Sequence, residues 1–106
     1  RMATGRLGTG DVRAATDTTV YTVPASTYAV ATITICNRGT SPANIDIALA
    51  DTGTPGNDEY IEYNTELLAK NVIERTGIVL EAGKLIVVKS SASSVNAVVV
   101  GIETAA

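Results

Sequence analysis

Apolar and polar residues alternate along several short stretches of this chain, as they do in β-strands with one buried face. The clearest stretch is 44–50, where every second residue is apolar, and residues 28–37 and 95–103 alternate in a similar way. The period of two favours strands over helices, whose apolar positions recur every three to four residues. The positions that this pattern predicts between two sheets are Ile33, Ile35, Ile45, Ile47, Leu49, Val98 and Val100.

Turn-forming residues separate the alternating stretches at short intervals. Segments rich in Pro, Gly, Ser and Asn lie at 24–26, 38–42 and 51–57. We predict strands at 17–23, 28–37, 44–50, 59–64, 78–80, 85–90 and 95–103, and short extended pieces around a turn at 69–71. Seven to nine short strands without a crossover helix predict an all-β fold, an antiparallel β-sandwich of the Ig-like or jelly-roll-like kind.

The first fifteen residues differ from the rest of the chain. Three glycines fall between positions 5 and 10, and glycine loses much backbone entropy when it is ordered. We therefore predict an N-terminal arm at 1–15, with Met2 as its natural start, that becomes ordered only on a partner. Residues 16–106 then form a single β-sandwich domain.

Composition supports the fold class and excludes several functions. Thr, Val and Ile make up about a third of the residues, and such β-branched side chains suit strands. The absence of His excludes a Ser-His-Asp triad, and the single Cys36 excludes a disulfide within the chain. The net charge of −3 argues against nucleic acid as a partner, and no apolar run is long enough to predict a membrane span. We expect synthesis in a reducing cytoplasm and no secretory signal.

Two features suggest chemistry. The segment Asp51-Thr52-Gly53, which follows apolar residues, resembles the active-site motif of retroviral-type aspartic proteases, in which two carboxylates share a proton. The same residues also suit a strand end followed by a turn, which is the interpretation we favour. Residues 51–66 carry five acidic groups, a pattern open to Ca²⁺ binding or glycosidase chemistry but typical of a solvated acidic face. We predict no catalytic residue, no cofactor and no metal site.

Several stretches carry a resemblance to a known group of proteins. They are Thr-Thr-Val-Tyr-Thr-Val-Pro-Ala at 18–25, Ile-Thr-Ile-Cys-Asn-Arg at 33–38, Glu-Arg-Thr-Gly-Ile-Val-Leu-Glu-Ala-Gly-Lys at 74–84, and the closing stretches 86–91 and 98–103. In order and spacing they resemble small β-sandwich virion structural proteins of tailed bacteriophages, of the capsid decoration (cement) type and cyanophage-like. The resemblance implies a sandwich on the capsid surface, or on the tail or baseplate, with no catalytic residues.

The expected function is therefore that of a non-enzymatic phage virion structural protein. It would decorate and stabilise the outer surface of the head, after synthesis in the host cytoplasm, with the major capsid protein or copies of itself as partners. The alternatives are a receptor- or glycan-binding module of a tail fibre or baseplate and, third, a retropepsin-like aspartic protease. The basic arm and the acidic segment predict partner binding through Arg6, Leu7, Arg13, Asp58, Glu59 and Glu62.

Overall fold

Eight strands and the turns between them make up residues 3–106, which are the residues that this computed structural model describes. The strands are β1 (Thr4–Val12), β2 (Thr18–Thr22), β3 (Thr27–Asn37), β4 (Ala43–Ala50), β5 (Tyr60–Leu67), β6 (Val72–Leu80), β7 (Leu85–Ser90) and β8 (Val95–Ala105). This part of the chain contains no helix long and apolar enough to cross a membrane. The predicted all-β class is confirmed. The expectations for Arg1 and Met2, including the start of the chain, fall outside the described residues.

The strands form two four-stranded antiparallel sheets. Sheet A has the order β1-β8-β3-β6 and sheet B the order β2-β7-β4-β5. Each strand of the first half pairs with one of the second half, β1 with β8, β2 with β7, β3 with β6 and β4 with β5. The chain is thus wound as one long hairpin folded over itself, which is the jelly-roll arrangement. The predicted antiparallel sandwich is confirmed, and the strand order is that of the jelly-roll alternative.

The core between the sheets contains most of the residues predicted for it. Ile33, Ile35, Ile45 and Ile47 are fully buried, and Leu49 is half-buried against the same cluster. These residues come from the second half of β3 and from β4, where the opposite face carries polar side chains such as Thr32, Thr34, Asn44 and Asp46. A clear difference between the two faces determines which of them turns inward.

The prediction for β8 is wrong by one residue. Val100 is 41% exposed and Val98 is half-buried, whereas Val95, Ala97 and Val99 are completely buried. The residues at 98–100 are three consecutive valines, so apolar side chains occupy both faces of this strand and the pattern does not determine which one turns inward. The pairing with β3 decides: Val100 lies opposite Thr32, whose position in β3 faces outward.

The predicted N-terminal arm is part of the fold. Thr4–Val12 form β1, which pairs with β8, and Val12 is fully buried. The expectation that this segment needs a partner to become ordered is therefore wrong for residues 4–12, and the separate domain boundary at 15–16 is replaced by one continuous sandwich. The glycines have a packing role instead, because a Cβ at Gly8 would collide with the Val20 carbonyl group and one at Gly10 would lie 2.5 Å from Val20 Cγ1. They allow β1 to approach β2 and close this side of the sandwich.

The opposite side of the sandwich, between the edge strands β5 and β6, is more open. Arg75 bridges it, with its Nε 3.0 Å from Glu62 Oε2 and its guanidinium donating to the Ile61 carbonyl oxygen over 3.4 Å. A shallow groove of about 450 Å³ lies beside this bridge. The predicted turn at 69–71 is confirmed between β5 and β6, and the predicted strand at 78–80 is the last third of the longer β6.

Candidate functional site

The basic residues predicted to bind a partner have unequal exposure. Arg6 is exposed on the outer face of β1, opposite Val100 of β8. Leu7 is half-buried and packs against the core, so it contributes to folding rather than to a free surface. Arg13 is exposed just after β1, with its Nε 4.0 Å from Asp11 Oδ2. Of the three, Arg6 is the one placed on a broad sheet face.

The acidic residues predicted as partner contacts are mostly engaged within the chain. Glu59 accepts hydrogen bonds from the backbone amides of Gly56 (2.7 Å) and Asp51 (3.1 Å), which organises the loop before β5. Glu62 pairs with Arg75 and accepts a hydrogen bond from Thr65 Oγ1 over 2.7 Å. Asp58 is exposed. β1 is thus already paired with β8, and two of the three carboxylates already have partners within the chain. The expected contact of these residues with another copy or with a capsid subunit stays a prediction.

Asp51, the residue of the protease-like motif, is an anchor of an exposed loop. Its carboxylate lies 2.6 Å from Lys84 Nζ, and this hydrogen bond, with the negative charge behind it, raises the pKa of Lys84. The residues that follow form a local turn in which Thr54 donates its backbone amide to Thr52 Oγ1. These contacts match the turn interpretation of the motif.

Two further groups that could carry chemistry are Tyr21 and Cys36. Tyr21 donates its hydroxyl to Glu103 Oε2 over 2.6 Å, and burial together with this carboxylate raises the pKa of Tyr21. Cys36 is half-buried at the end of β3. Within residues 3–106, no three carboxylate, thiol or imidazole groups lie close enough together to hold a metal ion.

Asn37 joins four segments at one end of the sandwich and was missed by the sequence patterns. The side chain is fully buried, and its Nδ2 donates to the carbonyl oxygens of Ser41 (2.9 Å) and Leu67 (3.1 Å). Its Oδ1 accepts from the Gly39 amide and the Ser94 hydroxyl, both over 3.0 Å. All the side-chain hydrogen-bonding groups of this residue are therefore used, as a buried amide requires.

Apart from the exposed Tyr63 on β5, the outer face of sheet B is covered or polar. Ala48, Ala50 and Val87 are buried there beneath Tyr60 and Leu85. Its remaining outward positions on β4 and β7 are polar: Asn44, Asp46 and Lys89. This face therefore presents an ordinary solvated surface.

The outer face of sheet A carries an apolar area on β8, β3 and β6 that no other described part of the chain covers, whereas its outward positions on β1 are polar. Ile102, Val30 and Val79 lie directly opposite one another on β8, β3 and β6, so they form one row across three strands. They are 47%, 37% and 63% exposed. We call the following set the apolar face: Tyr28, Val30, Val79, Val98, Val100 and Ile102. Contiguous exposed apolar surface of this kind marks interaction sites in soluble proteins.

Charged residues lie near both edges of the apolar face; on the β1 side, Asp11 is already paired with Arg13 and Arg38. Arg6 lies on β1, and Glu74 lies on β6 opposite Thr34. Among residues 3–106, neither side chain takes part in an ion pair. The signal in the sequence for this surface is that β8 and the first half of β3 carry apolar side chains at both phases, and that Tyr28 and Val30 are larger than the alanines between them.

None of the family sequence models matches this chain, and no curated protein sequence matches it either.

Proposed function

We propose that this chain is a non-enzymatic structural protein of a bacteriophage virion, a decoration protein that binds the outer surface of the head and stabilises it. The observation that carries the proposal is the apolar face of sheet A. A protein that acts by occupying a place in an assembly needs a preformed docking surface, and exposed branched side chains on a rigid sheet supply one.

The contacts that the acidic side chains make within the chain support the same proposal. Asp51, Glu59 and Glu62, which carried the catalytic and metal-binding alternatives, take part in contacts that shape a loop and an open edge. The jelly roll is an architecture used by viral capsid domains, although lectin domains use it as well. Fold alone therefore does not separate decoration from glycan binding.

A second candidate is a receptor- or glycan-binding module of a tail fibre or baseplate. The observation that favours it is an aromatic pair on β5, where Tyr60 and Tyr63 pack edge to face with ring centroids 4.9 Å apart. Tyr63 is 68% exposed, and exposed tyrosines serve as platforms for sugars. This pair lies on sheet B, away from the apolar face.

The test is to locate the chain on the particle. Virions grown with and without the gene for this chain are compared by cryo-electron microscopy and by the temperature at which their heads release DNA. We expect density on the head surface that disappears with the gene, a lower release temperature, and recovery of both when purified chain is added. Absence of the chain from purified virions refutes the proposal, and density at the tail tip supports the second candidate. In that case Tyr63→Ala abolishes glycan binding, whereas Leu68→Ala, an exposed control, does not.

A further inference from the structure

We propose that two copies of this chain pack against each other through their apolar faces, around a two-fold axis that runs parallel to the strands above the boundary between β8 and β3. The inference rests on the proposed function, and it names a second copy of the chain, rather than the head surface, as the direct partner of the apolar face. Three properties of that face support a second copy as its partner: its side chains, its area and its charges.

The side chains of the face are those that pack well between two sheets. Val30, Val79, Val100 and Ile102 are branched and short, and their row and its neighbours also contain Thr32 and Thr34. Aligned sheets pack about 10 Å apart when small branched side chains from both faces interdigitate. A second copy supplies the same set of side chains.

The area of the face is sufficient for a specific dimer. The apolar face occupies three of the four strands of sheet A. With the polar β1 included, four strands about 4.8 Å apart and about nine residues long, at about 3.3 Å per residue, present an outer side of roughly 19 by 30 Å. Pairing two such faces buries roughly 1,200 Å² in total, which is at the lower end of stable interfaces. An interface of this size is typical of reversible association.

The charges select the orientation of the axis. A two-fold axis parallel to the strands places β1 of one copy above β6 of the other, because it exchanges the two edges of sheet A. Arg6 then approaches the partner's Glu74, since the two residues differ by one row, or about 7 Å, along the strand direction. An arginine side chain spans that distance. The symmetry forms this ion pair twice.

The other face-to-face arrangement is disfavoured by the same charges. A two-fold axis across the strands places β1 above β1 and β6 above β6. It therefore brings the two Arg6 side chains to one edge and the two Glu74 side chains to the other. Like charges at an interface are unfavourable, whereas complementary charges set the register between partners. The face is therefore complementary to itself in the parallel-axis arrangement.

The first experiment measures the mass of the purified full chain by sedimentation equilibrium over a range of concentrations. We expect a concentration-dependent rise to twice the chain mass of 10.9 kDa. Val100→Lys and, separately, Val79→Lys bury a charge in the interface and should weaken dimerisation on the order of a hundredfold. Tyr63→Lys is the matched control, because Tyr63 is equally a large exposed side chain but lies on β5. Circular dichroism confirms that each variant is folded.

The second experiment tests the axis by exchanging charges. Arg6→Glu alone and Glu74→Arg alone should each weaken the dimer about fivefold, and the double variant should restore the original affinity. A wild-type chain that stays monomeric at several hundred micromolar, a trimer or larger oligomer, or equal effects of Val100→Lys and Tyr63→Lys overturns the dimer. If the double variant dimerises as weakly as the two single effects added together would predict, the proposed axis is wrong.

These outcomes are distinguishable from those that test the proposed function. A solution dimer that shows the charge-exchange rescue, in a chain absent from purified virions, supports the dimer and refutes the virion role. A monomeric chain found on the head surface does the reverse.

Discussion

The substitution Asn37→Asp replaces the Nδ2 group of the buried amide, a hydrogen-bond donor, with an oxygen that accepts hydrogen bonds. In the native protein Nδ2 donates to the carbonyl oxygens of Ser41 and Leu67, over 2.9 and 3.1 Å. A carboxylate oxygen in that place cannot donate and faces two acceptors. The other oxygen still accepts from Gly39 and Ser94, so the change removes the donor function alone.

The cost follows from the burial of this side chain. Losing two hydrogen bonds costs about 1 kcal/mol each, and a buried charge without a compensating partner raises the total to about 3–5 kcal/mol. Such a loss is a large part of the stability of a small domain. Burial and the two facing carbonyl groups raise the pKa of the introduced carboxyl above its ordinary value of about 3.9. In its protonated form the group donates to one of the carbonyl oxygens again.

The sign of the pH dependence therefore distinguishes this mechanism from a simple loss of packing. Because the folded-state pKa is raised, the variant is most stable below the unfolded pKa and loses stability as the pH rises through the folded pKa. Urea unfolding followed by circular dichroism, at several pH values between about 4 and 8, gives the difference in free energy of unfolding from wild type. We expect that difference to shrink to about half its neutral value at the acidic end, because protonation removes the charge and restores one bond.

A surface substitution provides the control for this experiment. Asn44→Asp makes the same chemical change on the exposed outer face of β4 and should cost less than about 0.5 kcal/mol. If Asn37→Asp lies within about 1 kcal/mol of wild type at neutral pH, or if its cost is independent of pH, the account of the Asn37 network is wrong.

Three further predictions concern the core, the loop and the closed side of the sandwich. Ile47→Ala removes a fully buried side chain and should lower the free energy of unfolding by about 2–5 kcal/mol; an unchanged denaturation curve contradicts the packing described here. Asp51→Asn removes an exposed partner of Lys84 and should leave stability nearly unchanged, whereas peptide cleavage at acidic pH that this variant abolishes would support the protease alternative. Tyr21→Phe removes a hydroxyl group whose pKa is raised in the folded state by burial and by Glu103. The native tyrosine therefore stabilises the folded state below its unfolded pKa of 10.0, and this stabilisation is lost as the pH rises above that value. The fall in stability above that pH should therefore be shallower in Tyr21→Phe by about 1.4 kcal/mol per pH unit, as measured by urea unfolding.

The local pattern of the sequence determined the fold class and the centre of the core. In β4 the polar Asn44 and Asp46 alternate with Ile45 and Ile47, so one face is unambiguous and the buried residues follow. The turn at 69–71 was predictable for the same local reason. No knowledge of the other strands is needed for such segments.

The candidate site was only partly predictable. Arg6 was predicted from its charge, but as part of a separate arm, whereas the segment is a strand of sheet A. The apolar residues beside Arg6 were predicted to lie in the core or received no prediction. Both faces of β8 are apolar, and sequence alone offers no difference between the side that packs and the side that stays exposed. The pairing of β8 with β3 makes that choice, and it leaves Val100 and Ile102 on the outside.

Tertiary structure alone decided the position of β1 and the role of Asn37. β1 pairs with β8, at the other end of the chain, and its glycines are required by the approach of Val20. Asn37 hydrogen-bonds with Leu67 and Ser94, which are 30 and 57 residues away along the chain. A local pattern records which side chains can be buried, whereas contacts between distant segments depend on how the whole jelly roll is wound. For that reason the class of fold could be predicted from the sequence, and the surface that the fold leaves exposed could not.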